Sequence, residues 1–288
     1  MKIGLLISGK LGLKALEASI QKHKVGFVLT NKASSDIISF CENALIPFFI
    51  GNPRNGNCTD FLKEKKVDVI ASINYLFLIE DDIISKAKKA AFNIHGSLLP
   101  KYRGRTPHVW AIINGESHTG ITAHLIDKSC DTGDILFQKK IKIHKKYTGN
   151  DILNIFLEEY IPIYEKVLNQ IEKGTLEIKS QDSQKATYYG KRTPQDGQIN
   201  WNWQKNRIYN WVRAQSNPYP GAFCFYSGEK IVVDEVLFSE VGYDADLKNG
   251  TILKIDHTGM PHVKTPNGAL KLSKLRTSFK FTKGEILE

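Results

Sequence analysis

Short apolar segments of strand length alternate with segments of helical character through the first 95 residues of the chain. The predicted strands span residues 2–8, 25–29, 47–50, 67–73 and 91–95. The predicted helices between them span residues 11–22, 35–43, 59–65 and 81–88. Such alternation favours a parallel sheet whose helical crossovers cover both faces. It therefore predicts an α/β domain of the Rossmann-like class, with a doubly wound, mostly parallel sheet.

The pattern changes in the second half of the chain. Predicted helices at 106–113 and 150–173 and strands at 121–126 and 135–143 continue the first domain. Residues 175–196 are polar and rich in turn formers. After Ile199, short strand candidates separated by Gly, Pro, Asn and Asp indicate a small, mostly β domain. They span residues 222–226, 231–237, 250–255 and 269–275. We therefore predict a catalytic domain over residues 1–180 and a smaller, β-rich C-terminal domain over residues 199–288.

Composition excludes several classes of protein. No apolar run reaches the roughly 20 residues that a membrane-spanning helix needs, and the run at residues 3–7 is too short for a signal peptide. The four cysteines are scattered and predict free thiols, with no metal site. These features favour a cytoplasmic protein. The net charge of +10 favours anionic partners, but the lysines are spread along the chain, so charge alone does not identify one.

One loop region carries residues suited to catalysis. Asn93 and His95 are two positions apart on a predicted strand, so their side chains share a face. Histidine exchanges protons near neutral pH, and an asparagine amide can donate to an oxygen that gains negative charge. Asp131, at the end of another predicted strand, is placed to orient the imidazole. The Asn-x-His pattern alone is weak, because a single histidine is more often a core residue.

The residues around this pattern resemble a known family. The run Asn-Ile-His-Gly-Ser-Leu-Leu-Pro from Asn93, then Tyr102-Arg103-Gly104 and Asp131-Thr132-Gly133-Asp134, is similar to the folate-dependent formyltransferases. The resemblance extends from residue 2 to about residue 173, and continues more weakly at 188–192 and 217–222. It places the family's catalytic residues on Asn93, His95 and Asp131.

The resemblance implies that a formyl group passes from 10-formyltetrahydrofolate to an amine, without a metal. It also implies that the pterin lies against the backbone of two loops. The predicted cofactor-binding residues are Leu76, Phe77, Leu78, Ile79, Leu125, Ile126 and Asp127. The alternative interpretation is that Leu78 and Ile79 belong to the core.

The acceptor amine is the open question, and three classes fit the resemblance. Methionyl-tRNA suits the basic charge, but that branch resembles chains with a basic insertion after the second strand, and here residues 30–45 are short with few basic residues. That branch also tends to have alanine where this chain has Gly96. The purine-pathway branch resembles only the first domain. The runs at 96–108 and 189–201 are most similar to bacterial sugar-nucleotide N-formyltransferases.

We therefore predict a nucleotide-linked amino-dideoxy sugar as substrate, favouring dTDP-4-amino-4,6-dideoxyglucose, for O-antigen or surface glycan synthesis. The sequence does not discriminate among thymidine, uridine and guanosine carriers. Phosphates suit basic side chains and a strand-to-helix turn, and the base suits an aromatic face. The predicted substrate-binding residues are Ser8, Gly9, Lys10, Arg103, Arg105, Tyr219 and Phe223. Phe223 could equally fill the core of the second domain.

Two further expectations concern partners. Related sugar enzymes suggest a homodimer built by the C-terminal domain, with no nucleic acid or membrane partner. A different class of function is a non-catalytic RNA-binding module on this scaffold. The joint presence of Asn93, His95 and Asp131 counts against that class.

Overall fold

The computed structural model describes all 288 residues, from Met1 to Glu288. Its strands are β1 (Lys2–Ile7), β2 (Lys24–Thr30), β3 (Phe48–Ile50), β4 (Val67–Ile73), β5 (Ala87–His95), β6 (Arg103–Gly104), β7 (His118–Leu125), β8 (Ile135–Lys142), β9 (Tyr188–Tyr189), β10 (Ala222–Tyr226), β11 (Glu229–Ser239), β12 (Ile252–Ile255), β13 (Pro261–Thr265) and β14 (Gly268–Leu275). Its α-helices are α1 (Gly9–Lys22), α2 (Ser35–Asn43), α3 (Thr59–Leu62), α4 (Asp81–Ile84), α5 (Pro107–Ile113), α6 (Gly149–Lys173) and α7 (Lys205–Ala214).

The largest sheet has seven strands in the order β3-β2-β1-β4-β5-β7-β8. Strands β3 to β5 of this order are mutually parallel, and β7 runs antiparallel to β5. The winding direction reverses between β1 and β4, so the predicted doubly wound, mostly parallel sheet is confirmed. Ligands of such sheets bind beyond the carboxyl ends of the strands, near the reversal.

Both faces of this sheet are covered, which explains why its central strands β1 and β4 are apolar and buried along most of their length. On one face, Leu6, Phe27 and Ile70 join a buried cluster with residues of α3 and α4. Helices α1 and α6 lie side by side, where the Ser19 Oγ and Tyr164 hydroxyl groups are 2.7 Å apart. The Tyr164 ring also packs near Phe92 of β5.

The chain divides into two compact units that interleave along the sequence. The first contains Met1–Gly104, Gly120–Ile141 and Ile155–Tyr189, and the second contains Arg105–Thr119, Lys142–Asn154 and Gly190–Glu288. In the second unit, an antiparallel sheet has the order β10-β11-β14-β13-β12. Helix α7 packs on β11 and β14 and buries Ile208 and Val212. The predicted β-rich C-terminal part of the chain is therefore present, together with a helix.

Several boundaries differ from the sequence-based expectation. The helix predicted at 81–88 ends at Ile84, and β5 begins at Ala87, four residues before its predicted start. The pairing of β5 with β4 begins at Val67 and Ala87, so strand pairing overrides the local helical character of residues 87–88. Helix α7 and strand β13 were not predicted. No helix meets the length and hydropathy that crossing a membrane requires. All four cysteines carry free thiols.

Candidate active site

Asn93 and His95 lie at the carboxyl end of β5, between β4 and β7. Their two-residue spacing on an extended strand directs both side chains to one face. Asn93 is half-buried and His95 is 7% exposed. Strand β5 is separated from the strand-order reversal by β4 alone, so both side chains lie at the carboxyl edge of the sheet, where ligands of this architecture bind.

The His95 ring has a defined hydrogen-bonding partner on one side. Its Nε2 lies 2.8 Å from the Tyr102 carbonyl oxygen, which can only accept, so Nε2 carries the proton and donates it. Nδ1 lies 3.6 Å from Oδ2 of Asp131. In the neutral ring, Nδ1 therefore holds a lone pair beside a carboxylate. Nδ1 is consequently the position at which this histidine can accept a proton.

Asp131 is held in place by the loop that follows β7. Its backbone is left-handed, with φ at 57°, a strained conformation for a non-glycine residue. The Gly104 N–H donates to Oδ2 at 2.8 Å, and the Gln181 side-chain amide donates to the carbonyl oxygens of Asp131 and Gly133 at 3.0 and 2.7 Å. A Cβ on Gly133 would lie 1.9 Å from the Leu125 carbonyl oxygen, so only glycine fits there. The loop geometry thus fixes the carboxylate toward His95.

Burial and charge set the protonation of this pair. Burial lowers the pKa of His95 below its ordinary value, while Asp131 and the Tyr102 carbonyl act in the opposite direction. For Asp131, burial acts to raise the pKa, but the His95 ring, His124 and the Gly104 N–H together lower it below its ordinary value. The resting state is therefore a neutral imidazole beside a carboxylate.

His124 is a fourth member of the site, and the sequence analysis did not identify it. It pairs directly with Asn93 across β5 and β7. Its Nδ1 donates to the Leu125 carbonyl oxygen at 2.8 Å, so Nε2 can accept from the Asn93 amide at 3.2 Å. The same Nε2 is 3.5 Å from Oδ1 of Asp131. The sequence does show a histidine on the strand that leads to Asp131, and this position could have indicated a site residue. That His124 lies opposite Asn93, however, depends on the register between β5 and β7.

The residues predicted to bind the pterin lie beside the carboxyl ends of β4 and β7. Residues 76–79 form the loop between β4 and α4, in which the apolar side chains of Leu76 and Leu78 are 41% and 53% exposed. Tyr75, Ile79 and Ile126 pack against the same buried cluster, so the two predicted loops border one region. Ile79 and Phe77 are half-buried, as are Leu125 and Ile126, whereas Asp127 is exposed. The alternative that Leu78 is a core residue is wrong.

Three of the four predicted phosphate contacts in the first unit are already engaged within the protein. Ser8 is buried and accepts from the Asn31 amide at 2.7 Å, and the Gly9 N–H donates to Ser34 Oγ at 3.1 Å. Arg103 is 2% exposed, and its guanidinium donates to Gln181 and the Tyr188 hydroxyl. These residues brace loops through these hydrogen bonds, and their contact with phosphate stays a prediction. Lys10 is exposed.

The three predicted contacts in the second unit differ in their surroundings. Arg105 is exposed. The Tyr219 hydroxyl is 2.7 Å from His108 Nε2, and burial raises the pKa of this tyrosine. Phe223 is 5% exposed, and the Lys230 ammonium lies 3.7 Å from its ring centroid. Strand β10 turns this ring into the core of the second unit, in agreement with the alternative interpretation of Phe223, and its contact with a nucleotide base stays a prediction.

Comparison with known proteins gives two consecutive family matches. Residues 1–168 match the family described as formyl transferase, and residues 191–282 match the family described as formyl transferase, C-terminal domain. Bifunctional polymyxin resistance protein ArnA of Wigglesworthia glossinidia brevipalpis is 36% identical over 259 residues, which are 88% of this chain. The chain spans 38% of the length of that relative.

Solved structures extend the similarity to nearly the whole chain. WlaRD, a sugar 3N-formyl transferase solved in the presence of dTDP and 5-N-formyl-THF, matches with a TM-score of 0.71 and 20% identity, covering 95% of this chain and 98% of WlaRD. A 4-N formyltransferase from Francisella tularensis matches with a TM-score of 0.69 and 21% identity, covering 81% of this chain and 96% of that protein. At these identities the likeness establishes the fold.

Proposed function

Because this chain belongs to the formyl transferase family, we propose that it transfers a formyl group from 10-formyltetrahydrofolate to the amine of a nucleotide-linked amino-dideoxy sugar. The observation that carries the proposal is the convergence of the Asn93, His95 and Asp131 side chains at the carboxyl end of β5. An amide donor, a proton acceptor and a carboxylate are the groups that acyl transfer to an amine requires.

The first unit offers a surface that fits the folate. The apolar side chains of Leu76 and Leu78 are exposed next to the site, and a flat ring covering them would remove apolar surface from water. The predicted pterin contacts are to the backbone of residues 76–79 and 125–127. Bound there, 10-formyltetrahydrofolate would supply the carbonyl carbon that the amine attacks.

Asn93, His95 and Asp131 have different roles in the proposed reaction. One N–H of the Asn93 amide is directed to His124 Nε2, which leaves its second N–H to donate to an oxygen that gains negative charge. His95 accepts the proton lost by the attacking amine at Nδ1, because its Nε2 is committed to the Tyr102 carbonyl. The Asp131 carboxylate then stabilises the imidazolium. The imidazolium would return the proton to the folate nitrogen as the bond between that nitrogen and the formyl carbon breaks and tetrahydrofolate leaves. Together these groups need to lower the activation free energy by only several kcal/mol, which is usual for preorganised electrostatic groups.

The choice of acceptor is supported by likeness. The two solved structures of similar fold are named as sugar formyltransferases, one of the 3-N and one of the 4-N type, and one was solved with dTDP. The exposed Lys10 and the net charge of +10 suit a diphosphate. We favour dTDP-4-amino-4,6-dideoxyglucose, whose product would enter an O-antigen or another surface glycan. The predicted contacts of the nucleotide stay Ser8, Gly9, Lys10, Arg103, Arg105, Tyr219 and Phe223.

A parallel assay of acceptors tests the proposal. The purified chain is given 10-formyltetrahydrofolate with dTDP-4-amino-4,6-dideoxyglucose, its 3-amino isomer, a UDP-linked amino sugar or methionyl-tRNA, and tetrahydrofolate release is followed by absorbance. We expect the largest kcat/KM with the dTDP-linked 4-amino sugar, and a turnover at least about a hundredfold lower with His95→Asn. Turnover with methionyl-tRNA alone would overturn the acceptor. RNA binding without turnover on any amine would favour the binding module.

We also propose a cytoplasmic homodimer, which follows from the predicted nucleotide-sugar substrate and from the expectation for the C-terminal domain. Light scattering on the purified chain measures the assembly directly. A monomer at micromolar concentration would contradict the proposed dimer and leave the proposed reaction unaffected.

A further inference from the structure

The second unit contains an open cavity of about 440 Å³ that no catalytic residue lines. Its polar wall consists of the amides of Gln198, Asn200, Asn202 and Asn249, together with Trp201 and Glu288. The volume is within the range of about 300–1,000 Å³ that small-molecule sites occupy. A wall with four amides is unsuited to an apolar ligand and suited to one rich in hydroxyl groups.

Trp201 carries an unsatisfied donor at this cavity. Its side chain is 4% exposed, and its buried Nε1–H has no hydrogen-bond partner. By contrast, the indole N–H groups of Trp211 and Trp110 donate to the carbonyl oxygens of Gly197 and Gly190. A buried N–H without an acceptor costs about 1–3 kcal/mol. Because solvent does not reach this atom, the Trp201 indole N–H reports on the wall of the cavity and is not itself a ligand contact.

The neighbouring amides are oriented as donors by a buried lysine. The Lys264 ammonium cannot accept, so Oδ1 of Asn249 faces it at 3.1 Å, and Nδ2 of Asn249 donates to Oδ1 of Asn202 at 2.9 Å. Oδ1 of Asn200 accepts from the Asn202 backbone N–H at 2.9 Å. The Nδ2 groups of Asn200 and Asn202 are thus left to donate outside the protein.

Lys264 itself is unusual for a charged residue. It is 5% exposed, and no carboxylate lies within 4.0 Å of its ammonium group. Its other close neighbour is the Tyr243 ring, whose centroid is 5.1 Å from Nζ. A buried cation without a counter-charge polarises the amides bonded to it and strengthens their N–H groups as donors. The cavity therefore favours a ligand that presents oxygen acceptors.

We propose that this cavity is an accessory binding site for a hexopyranose sugar. The hydroxyl groups of such a ring accept from the Asn200 and Asn202 N–H groups, and they donate to the Glu288 carboxylate at the same wall. The inference concerns the second unit alone and does not depend on the proposed formyl transfer.

The indole N–H signals provide a direct test on the intact chain. The protein has four tryptophans, so a ¹H–¹⁵N spectrum shows four indole cross-peaks, and the one lost in Trp201→Phe belongs to Trp201. D-glucose, N-acetyl-D-glucosamine or inorganic phosphate is added up to about 50 mM, well above a millimolar dissociation constant. We expect one of the sugars to shift the Trp201 cross-peak in a saturable manner and phosphate to leave it unchanged.

Two variants separate binding from folding. Asn202→Ala keeps the buried indole and should weaken sugar binding about tenfold, the effect of ~1.4 kcal/mol. Asn43→Ala, which removes an exposed amide at the end of α2, should bind like the wild type. A Trp201 cross-peak that no sugar shifts, a shift with phosphate alone, or equal affinity in Asn202→Ala would each overturn the proposal.

Discussion

His95 has one ring nitrogen committed to the protein and one available for chemistry. The Tyr102 carbonyl holds Nε2–H, and the Asp131 carboxylate stands 3.6 Å from Nδ1. Before proton transfer, Nδ1 and the carboxylate oxygen are both acceptors. A proton that binds to Nδ1 makes the two groups an ion pair, so the Asp131 carboxylate favours protonation of His95 at this position. Burial keeps the ring neutral beforehand, so it is ready to accept that proton.

We expect His95→Asn and Asp131→Asn to fold and to lose at least about a hundredfold in turnover, because each removes a group that stabilises the transition state. Steady-state kcat with the preferred amino sugar measures the loss, and circular dichroism with thermal melting checks folding. A turnover number unchanged in either folded variant would show that its role is misassigned.

His124 acts through Asn93 and Asp131, and we expect it to be a positioning residue. His124→Ala removes the acceptor of the Asn93 amide at 3.2 Å and should lower kcat about tenfold, the cost of roughly one hydrogen bond, with KM nearly constant. His124→Gln retains an amide oxygen that can accept from Asn93 and should recover part of the rate. A rise in KM with kcat unchanged in His124→Ala, or no recovery of kcat in His124→Gln, would contradict a positioning role for His124.

At the scale of elements, the site depends on how three segments meet. Antiparallel pairing of β5 and β7 sets Asn93 opposite His124. The loop after β7 then turns back, so that Leu125 N–H donates to the Asp134 carbonyl at 2.8 Å and Gly133 packs against the Leu125 carbonyl. Gln181 holds this loop from a distant part of the chain. The position of Asp131 is therefore set mainly by the contacts of the loop backbone.

Gly133→Ala tests this dependence. The added Cβ would lie 1.9 Å from the Leu125 carbonyl oxygen, so the loop must move, and we expect a loss of about 1–3 kcal/mol in stability with at least a tenfold fall in kcat. Urea unfolding and steady-state kinetics measure the two effects. Gly242→Ala is the matched control, because nothing lies within 4 Å of its new Cβ. Equal behaviour of the two variants would refute the constraint.

At the scale of the whole molecule, the His95–Asp131 pair links the free energy of unfolding to pH. The pKa of His95 is lowered from 6.5 and that of Asp131 from 3.8, so the unfolded chain binds more protons than the folded chain in acid. Stability is therefore present above the unfolded values and declines as pH falls, first below about 6.5 for His95 and then below about 4 for Asp131. His23 and His262 have lowered pKa values, mainly through burial, and act in the same direction.

We expect the free energy of unfolding to fall between about pH 7.5 and pH 5.5, and to fall less in His95→Asn, which lacks the buried imidazole. Urea titrations of both proteins at several pH values measure the difference in slope. The remaining slope of the variant reports His23, His262 and other groups. Identical slopes would mean that His95 has an ordinary pKa in the folded protein.

The sequence by itself determined the architecture of the first domain and predicted three candidate site residues. Apolar strand segments bounded by helices admit few arrangements, and residues 35–43 and 67–73 have the predicted bounds because local pattern and tertiary contacts agree there. Asn93 and His95 could be paired from sequence because a two-residue spacing on a strand fixes a common face.

Tertiary structure alone decided which side chains are buried and which hydrogen-bond partners they have, because these partners are distant in the chain. His124 joins the candidate site through strand register. Ser8, Gly9 and Arg103 form hydrogen bonds with Asn31, Ser34 and Gln181, which the sequence did not predict. Phe223 is buried by the strand that carries it. A sequence shows which groups a chain contains, whereas hydrogen-bond satisfaction and burial arise only when distant segments meet.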